Sequence, residues 1–314
     1  MNLHLSSLFK DAVSAASDFF KIREAFIEKD YWVTFILNNL SKSSYVDQVV
    51  FKGGTSLSKV HKCIERFSED IDLAIIENVK LGDSKRKALI QGIEKVITQG
   101  LIPYPDHPLT EKKGRNRKTF FKFNNDINNI SGIIQLEINT FTEPAPFSKE
   151  SVDSFVAQFF KITDRSELIS QYELNTFELN VLSIERTFFE KVLSIIRLSY
   201  NGSDALKLKI RHFYDIVRIF QENRLILNSE DSIKIFRAAL NDDKNNSTFA
   251  GVWLEKSLSE AHLFNDFKTL WKSLEPTYKN DLKDLIWNNT LPKSSEVIEV
   301  ILKIEEFIKR IEEK

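Results

Sequence analysis

Asp70 and Asp72 stand two residues apart at the mouth of an apolar run that ends at Ile76. On an extended strand, residues two apart point to the same face. Two adjacent carboxylates repel each other unless a cation neutralises them. Mg²⁺ suits such a pair, because it binds through one or two carboxylates plus substrate phosphates. Upstream, Gly53-Gly54 stops the short run Val49-Val50-Phe51, and Thr55 and Ser56 follow. The glycines clear side chains from the approach of a triphosphate, and free N–H groups at a helix start favour anions. Gly53, Gly54, Thr55 and Ser56 therefore read as a phosphate cradle, one helix before a metal site at Asp70 and Asp72. Ser68 directly precedes Glu69-Asp70-Ile71-Asp72. It could cap the turn, approach a nucleotide, or accept a phosphoryl or nucleotidyl group.

The elements that position these groups are a strand at 49–51, a helix over 56–65 carrying Leu57, Val60 and Ile64, and a buried-type strand over 71–76. Ahead of them, amphipathic helices are expected over 5–22 and from about 25 to 40. A helix over 84–99 follows, then strands at 119–123 and 132–139. In the last strand Gln135, Glu137 and Asn139 share one face, while Ile134, Leu136 and Ile138 share the other. Beyond the Pro-containing stretch 142–146 the chain reads as mostly helical. A strand is expected at 176–182, with helices at 183–200, 206–222, 229–240, 250–260, 263–273, 275–288 and 296–314.

Lys52-Gly-Gly-Thr-Ser-Leu-Ser-Lys59 followed by Arg66-Phe-Ser-Glu-Asp-Ile-Asp72 resembles the polymerase-β nucleotidyltransferase superfamily. It is closest to the AbiEii-type toxins of type IV toxin–antitoxin and abortive-infection (phage-defence) systems. Fifteen residues separate Gly54 from Asp70, more than the broad superfamily's usual gap but typical of this branch. Glu28-Lys-Asp-Tyr-Trp32, Glu185-Arg-Thr-Phe-Phe-Glu-Lys191 and Arg211-His-Phe-Tyr-Asp215 are similar to further segments of that type. The resemblance spans roughly residues 25–220. It implies that Lys191 contacts the nucleotide phosphates, that Asp215 is an essential polar partner, and that Lys59 and Arg66 join the nucleotide-binding set. Lys29 could also reach a phosphate.

Nucleotidyl transfer uses two Mg²⁺ ions about 4 Å apart, so a third carboxylate is expected on a neighbouring strand. Glu137 is the candidate, though it reads equally as a strand-edge acid facing water. Asp126 competes from a polar turn. The fold expected is α+β: a polymerase-β-like core, a small mixed sheet of three or four strands with helices, over residues 1–145, and a mainly helical lobe over 146–314.

The chain has 314 residues and a net charge of −1, which gives no overall pull toward nucleic acid. Locally, residues 80–122 hold eleven Lys or Arg against four acids, a net +7. The stretch Lys112 to Lys118 is expected to face RNA. Cys63 is the only cysteine and reads as a core filler. With no apolar run of about 18 residues and no signal-like N-terminus, the expected compartment is the cytoplasm. The function expected is a Mg²⁺-dependent toxin that transfers NMP from an NTP and releases pyrophosphate. The tRNA 3′ end is the favoured acceptor, and a cognate antitoxin counters the toxin. A protein hydroxyl as acceptor, or a non-catalytic regulatory module of the same fold, are the rivals.

Overall fold

The computed structural model describes residues 1–68, 70–77, 81–123, 132–288 and 291–313. Asp126 lies outside them. The chain divides into two compact units, Met1–Val60 with Phe67–Leu182 and His61–Arg66 with Ser183–Lys314. The boundary expected at residue 145 falls inside the first unit, because strands after it complete that unit's sheet.

The first unit opens with α1 (Leu8–Phe20) and α2 (Glu24–Ser41), then β1 (Val49–Lys52) running directly into α3 (Gly53–Lys59). β2 (Asp70–Ile75), α4 (Asp83–Ile97), β3 (Ile102–Pro103), β4 (Glu111–Lys112), β5 (Asn116–Lys122) and β6 (Ile133–Asn139) follow. β7 (Phe147–Val152), α5 (Phe155–Ile162), α6 (Ser166–Gln171) and β8 (Phe177–Leu182) complete it. Among the described residues the strands form one mixed sheet of eight, ordered β3-β5-β6-β2-β1-β8-β7, with β4 also pairing β5. β2 runs antiparallel to β1 and parallel to β6, whereas β6 and β5 are antiparallel.

Alternation along these strands gives the sheet two chemically different faces. Phe51, Ile71, Leu73, Leu136 and Ile138 are fully buried on one face. Each contributes about 1.5–3 kcal/mol by burial. α4 packs on β6, and its Glu94 binds Arg117 and Thr119 of β5 from this side. The other face carries Asp70, Asp72, Gln135, Glu137 and Lys118 as register neighbours.

The helix after the glycines differs from expectation at both ends. It starts at Gly53 itself and stops at Lys59. Lys62 has φ +54°, which the helix cannot accommodate. Residues 61–66 instead pair within the second unit, where Arg66 bridges Ile286 and the Glu65 carbonyl accepts from the Trp287 N–H.

The second unit is helical: α7 (Ile184–Ser199), α8 (Ser203–Lys207), α9 (Ile210–Glu222), α10 (Glu230–Asn245), α11 (His262–Asn265), α12 (Phe267–Lys283) and α13 (Ser294–Glu312). Ser183 caps α7 by accepting the Arg186 N–H. Phe189, Phe213, Trp271, Tyr278 and Ile304 lie in its core. Two expectations fail here. The stretch 250–260 forms short 3₁₀ turns after Gly251 rather than an α-helix. The helices expected on either side of residue 274 are one, and Pro276 lies inside it. Trp271 and Leu274 before the proline, and Tyr278 and Leu282 after it, are all buried. That packing offsets the lost hydrogen bond.

Candidate active site

Gly53 is fixed by two independent constraints. Its φ is +83°, and a Cβ there would lie 2.0 Å from Asp72 Oδ2. Only glycine lets the backbone enter α3 while the carboxylate of β2 lies against it. Gly54 is half-buried beside it. The hydroxyls of the next two residues are engaged. Thr55 Oγ1 donates to the Asp70 carbonyl, and Ser56 Oγ donates to the Gly53 carbonyl at 3.0 Å. Any cradle at this turn is therefore made of backbone N–H groups, and the hydroxyls brace it against β2.

Asp70 and Asp72 begin β2 and are half-buried. Glu137 is the register partner of Asp72 on β6, and Gln135 is that of Asp70. Neighbouring strands lie about 4.8 Å apart, so the three expected acids share one face of one sheet. Lys52 pairs Asp72 on the β1 side, and Lys118 pairs Glu137 on the β5 side. Among the described residues, no three acidic, histidine or cysteine side chains converge closely enough to enclose a metal ion by themselves. The donor set is nevertheless of the hard-oxygen type that suits Mg²⁺, whose remaining positions are filled by phosphate oxygens and water. Ser68 is half-buried just ahead of β2.

Lys59 is engaged inside the first unit. Its ammonium is buried and lies 2.5 Å from Asp30 Oδ1 on α2. Asp30 Oδ2 also accepts the Phe155 N–H at 2.9 Å. Lys29 is likewise buried, with Nζ 5.9 Å from the Phe67 ring centroid.

In the second unit, Arg66, Lys191 and Asp215 form one cluster. Asp215 is 0% exposed. Arg66 grips it from two nitrogens, each at 2.7 Å, and Lys191 Nζ lies 2.8 Å from Oδ2. Burial alone would raise the Asp215 pKa, but the two cations outweigh burial and hold it well below the usual carboxylate range. Asp215 is thus a fixed anion that orients two cations. An ammonium carries three N–H donors. Asp215 is the one ion-pair partner of Lys191 among the described residues, so donors remain for a phosphate. His212 is also buried, and burial with the nearby Lys191 pushes its pKa well below 6.5. Cys63 is buried, its thiol pushed up to about 12 by burial and by Asp215, which leaves it unreactive.

The basic stretch does not make one patch. Arg117 points to the α4 side and pairs with Glu94 at 2.5 and 2.7 Å. Lys113 contacts Glu111. Lys118 lies on the carboxylate face, next to Glu137. Sequence reasoning grouped these residues by adjacency and missed the separate position of Lys118, because its only signal is the β5–β6 register.

Residues 36–299 match the family described as the nucleotidyl transferase AbiEii toxin of type IV toxin–antitoxin systems. The chain belongs to that family. The match runs into α13, well past the residue 220 at which the sequence resemblance stopped. No curated protein matches the chain. Among solved structures, it is similar to JHP933 from Helicobacter pylori, with 17% identity, TM-score 0.45, and coverage of 93% of this chain and 95% of that one. It is also similar to MenT4, a nucleotidyltransferase toxin from Mycobacterium tuberculosis H37Rv, with 14% identity, TM-score 0.43, and coverage of 84% and 98%.

Proposed function

We propose that this toxin-family nucleotidyltransferase transfers NMP from an NTP to the 3′ hydroxyl of an RNA, with the tRNA 3′ end as acceptor, and releases pyrophosphate. The observation that carries the reading is the Gly53–Asp72 contact, with Glu137 beside Asp72 on the same face. Asp70, Asp72 and Glu137 would hold Mg²⁺, which supplies charge neutralisation for the attacking and leaving oxygens. The backbone at Gly53, Gly54, Thr55 and Ser56 binds the triphosphate. Lys191, oriented by Asp215, is a point charge suited to a nucleotide phosphate, and Arg66 is the second cation of that cluster. Ser68 approaches the nucleotide from the segment before β2. The acceptor oxygen bonds to the α-phosphorus, the bond to the β-phosphate bridging oxygen breaks, and the acceptor's proton passes to Glu137. A cognate antitoxin restrains the activity, and the protein works in the cytoplasm. Among the described residues, no helix is long and apolar enough to cross a membrane.

The test is incubation with each α-labelled NTP, Mg²⁺, total RNA and total protein. Label is expected in the tRNA fraction and should vanish with EDTA. Label in protein alone would replace the acceptor, and full transfer by Asp72→Ala would remove the metal site from Asp72.

A further inference from the structure

The carboxylate face does not end at Glu137. β5 lies next to β6, and side chains two apart on it return to the same side. Register places Lys118 opposite Glu137 and Phe120 opposite Gln135, the same pair of β6 residues that neighbours Asp72 and Asp70. Lys118, Phe120 and Lys122 therefore continue the catalytic face outward. Arg117, Thr119 and Phe121 face the α4 side. Lys118 also lies opposite Glu111 on β4, but Glu111 contacts Lys113, and no ion pair holds Lys118 among the described residues.

The loop between β3 and β4 adds rings to this face. His107 stacks on Phe120 with centroids 3.5 Å apart and planes at 21°. Tyr104 meets His107 edge-on at 5.4 Å and carries Lys122 Nζ 3.9 Å from its centroid. Tyr104 is tied to the strand by its N–H, which donates to the Phe120 carbonyl at 2.8 Å. Cations interleaved with rings along one line match a single polynucleotide strand, whose phosphates need charge and whose bases need flat partners. Four residues of strand rise set Lys118 and Lys122 about 13 Å apart.

We propose that the Lys118–Phe120–Lys122 face of β5, with Tyr104 and His107, is the track for the single-stranded 3′ end of the acceptor. Lys118 takes the phosphate nearest the carboxylates, Lys122 takes one farther back, and a base stacks on His107, which the buried Phe120 backs. This rests on the RNA-acceptor reading above and adds to it a defined path on one side of one strand. It excludes Arg117, which is adjacent in sequence but on the other face.

The test is salt-dependent binding of a fluorescein-labelled 12-nucleotide single-stranded RNA without NTP. Lys118→Ala with Lys122→Ala should weaken binding about tenfold. Two lost contacts at roughly 0.7 each should flatten the log–log salt slope by about 1.4. His107→Ala should weaken binding without changing that slope. Lys95→Ala with Lys112→Ala removes the same charge from the α4 side and should leave binding as in the wild type. Unchanged melting temperature and NTP binding establish that each variant is folded. The track is overturned if the wild type does not bind the oligonucleotide, if the Lys118/Lys122 pair binds normally, or if the Lys95/Lys112 pair loses as much. The transfer reading fails separately, when wild-type protein binds the RNA but no labelled NMP joins it.

Discussion

Asp72 is constrained from two sides, by the Gly53 backbone and by Glu137 across the strand gap. Replacing Gly53 by Ala would place a methyl group where Asp72 Oδ2 lies, at a backbone angle that costs an L-residue about 1–2 kcal/mol. Gly53→Ala should therefore lose NMP transfer as completely as Asp72→Ala, with only a modest fall in melting temperature. Asp72→Ala itself should keep or raise metal-free stability, since it removes a repelling charge. A Gly53→Ala protein with wild-type kcat would show that the close approach is not needed. Lys191 and Asp215 separate by their kinds of failure. Lys191→Ala should lower nucleotide use by about a hundredfold, the scale of one lost electrostatic contact in a closed site. Asp215→Ala leaves two buried cations without their anion and should cost about 3–5 kcal/mol of stability. Urea unfolding distinguishes the two, because Lys191→Ala should unfold at nearly the wild-type midpoint.

At the scale of elements, α3 is held to α2 by the buried Lys59–Asp30 pair, and Asp30 also receives the first N–H of α5. Asp30→Ala strands the Lys59 ammonium and that N–H together. A loss of about 3–5 kcal/mol is expected. Lys59→Met removes the charge but keeps the apolar stem and should cost less. Equal losses in denaturant melts would mean that Lys59 is better solvated than its 9% exposure suggests. The long helices and the apolar strands of this architecture were legible in the sequence, because periods of 3.6 and 2 report directly on one-sided burial. β7 and α5 were not. Phe147–Val152 has a single buried residue, so it lacks the apolar pattern of a strand and is ordered by pairing with β8 along its length. The continuity of α12 through Pro276 was hidden for a similar reason, since packing on both sides of a proline is invisible to local propensity.

For the whole molecule, acid is the informative perturbation. His212 has an ordinary value of 6.5, pushed well down in the fold by burial first and by Lys191 and Lys209 next. Below pH 6.5 the unfolded chain takes up a proton that the folded one refuses, so stability falls as pH falls. The slope approaches about 1.4 kcal/mol per pH unit for one proton. His4 is lowered by burial as well and acts in the same direction. Asp215 behaves as a depressed carboxylate. Its contribution is complete above 3.8 and is lost only as pH drops below that value. Stability measured from pH 7 to 5 should therefore decline in the wild type, and His212→Gln should flatten the decline. A wild-type curve level across that window would place His212 in contact with solvent.

The sequence by itself determined which chemistry this chain can carry. Gly53-Gly54, Asp70-x-Asp72 and the acid of an alternating strand are local facts, and local spacing fixes which side chains share a face. It determined the family through those strings and the later Lys191 and Asp215 segments. Only the tertiary structure decided how the polar groups are spent. Arg66 meets Asp215 across 149 residues of sequence, Lys59 goes to Asp30, and Arg117 and Lys118 part to opposite faces. The physical reason is strand register together with long-range pairing. Shifting a strand by one residue moves every side chain to the other face. A buried charge takes whichever counter-ion the fold brings near it, however far apart the two lie in the chain.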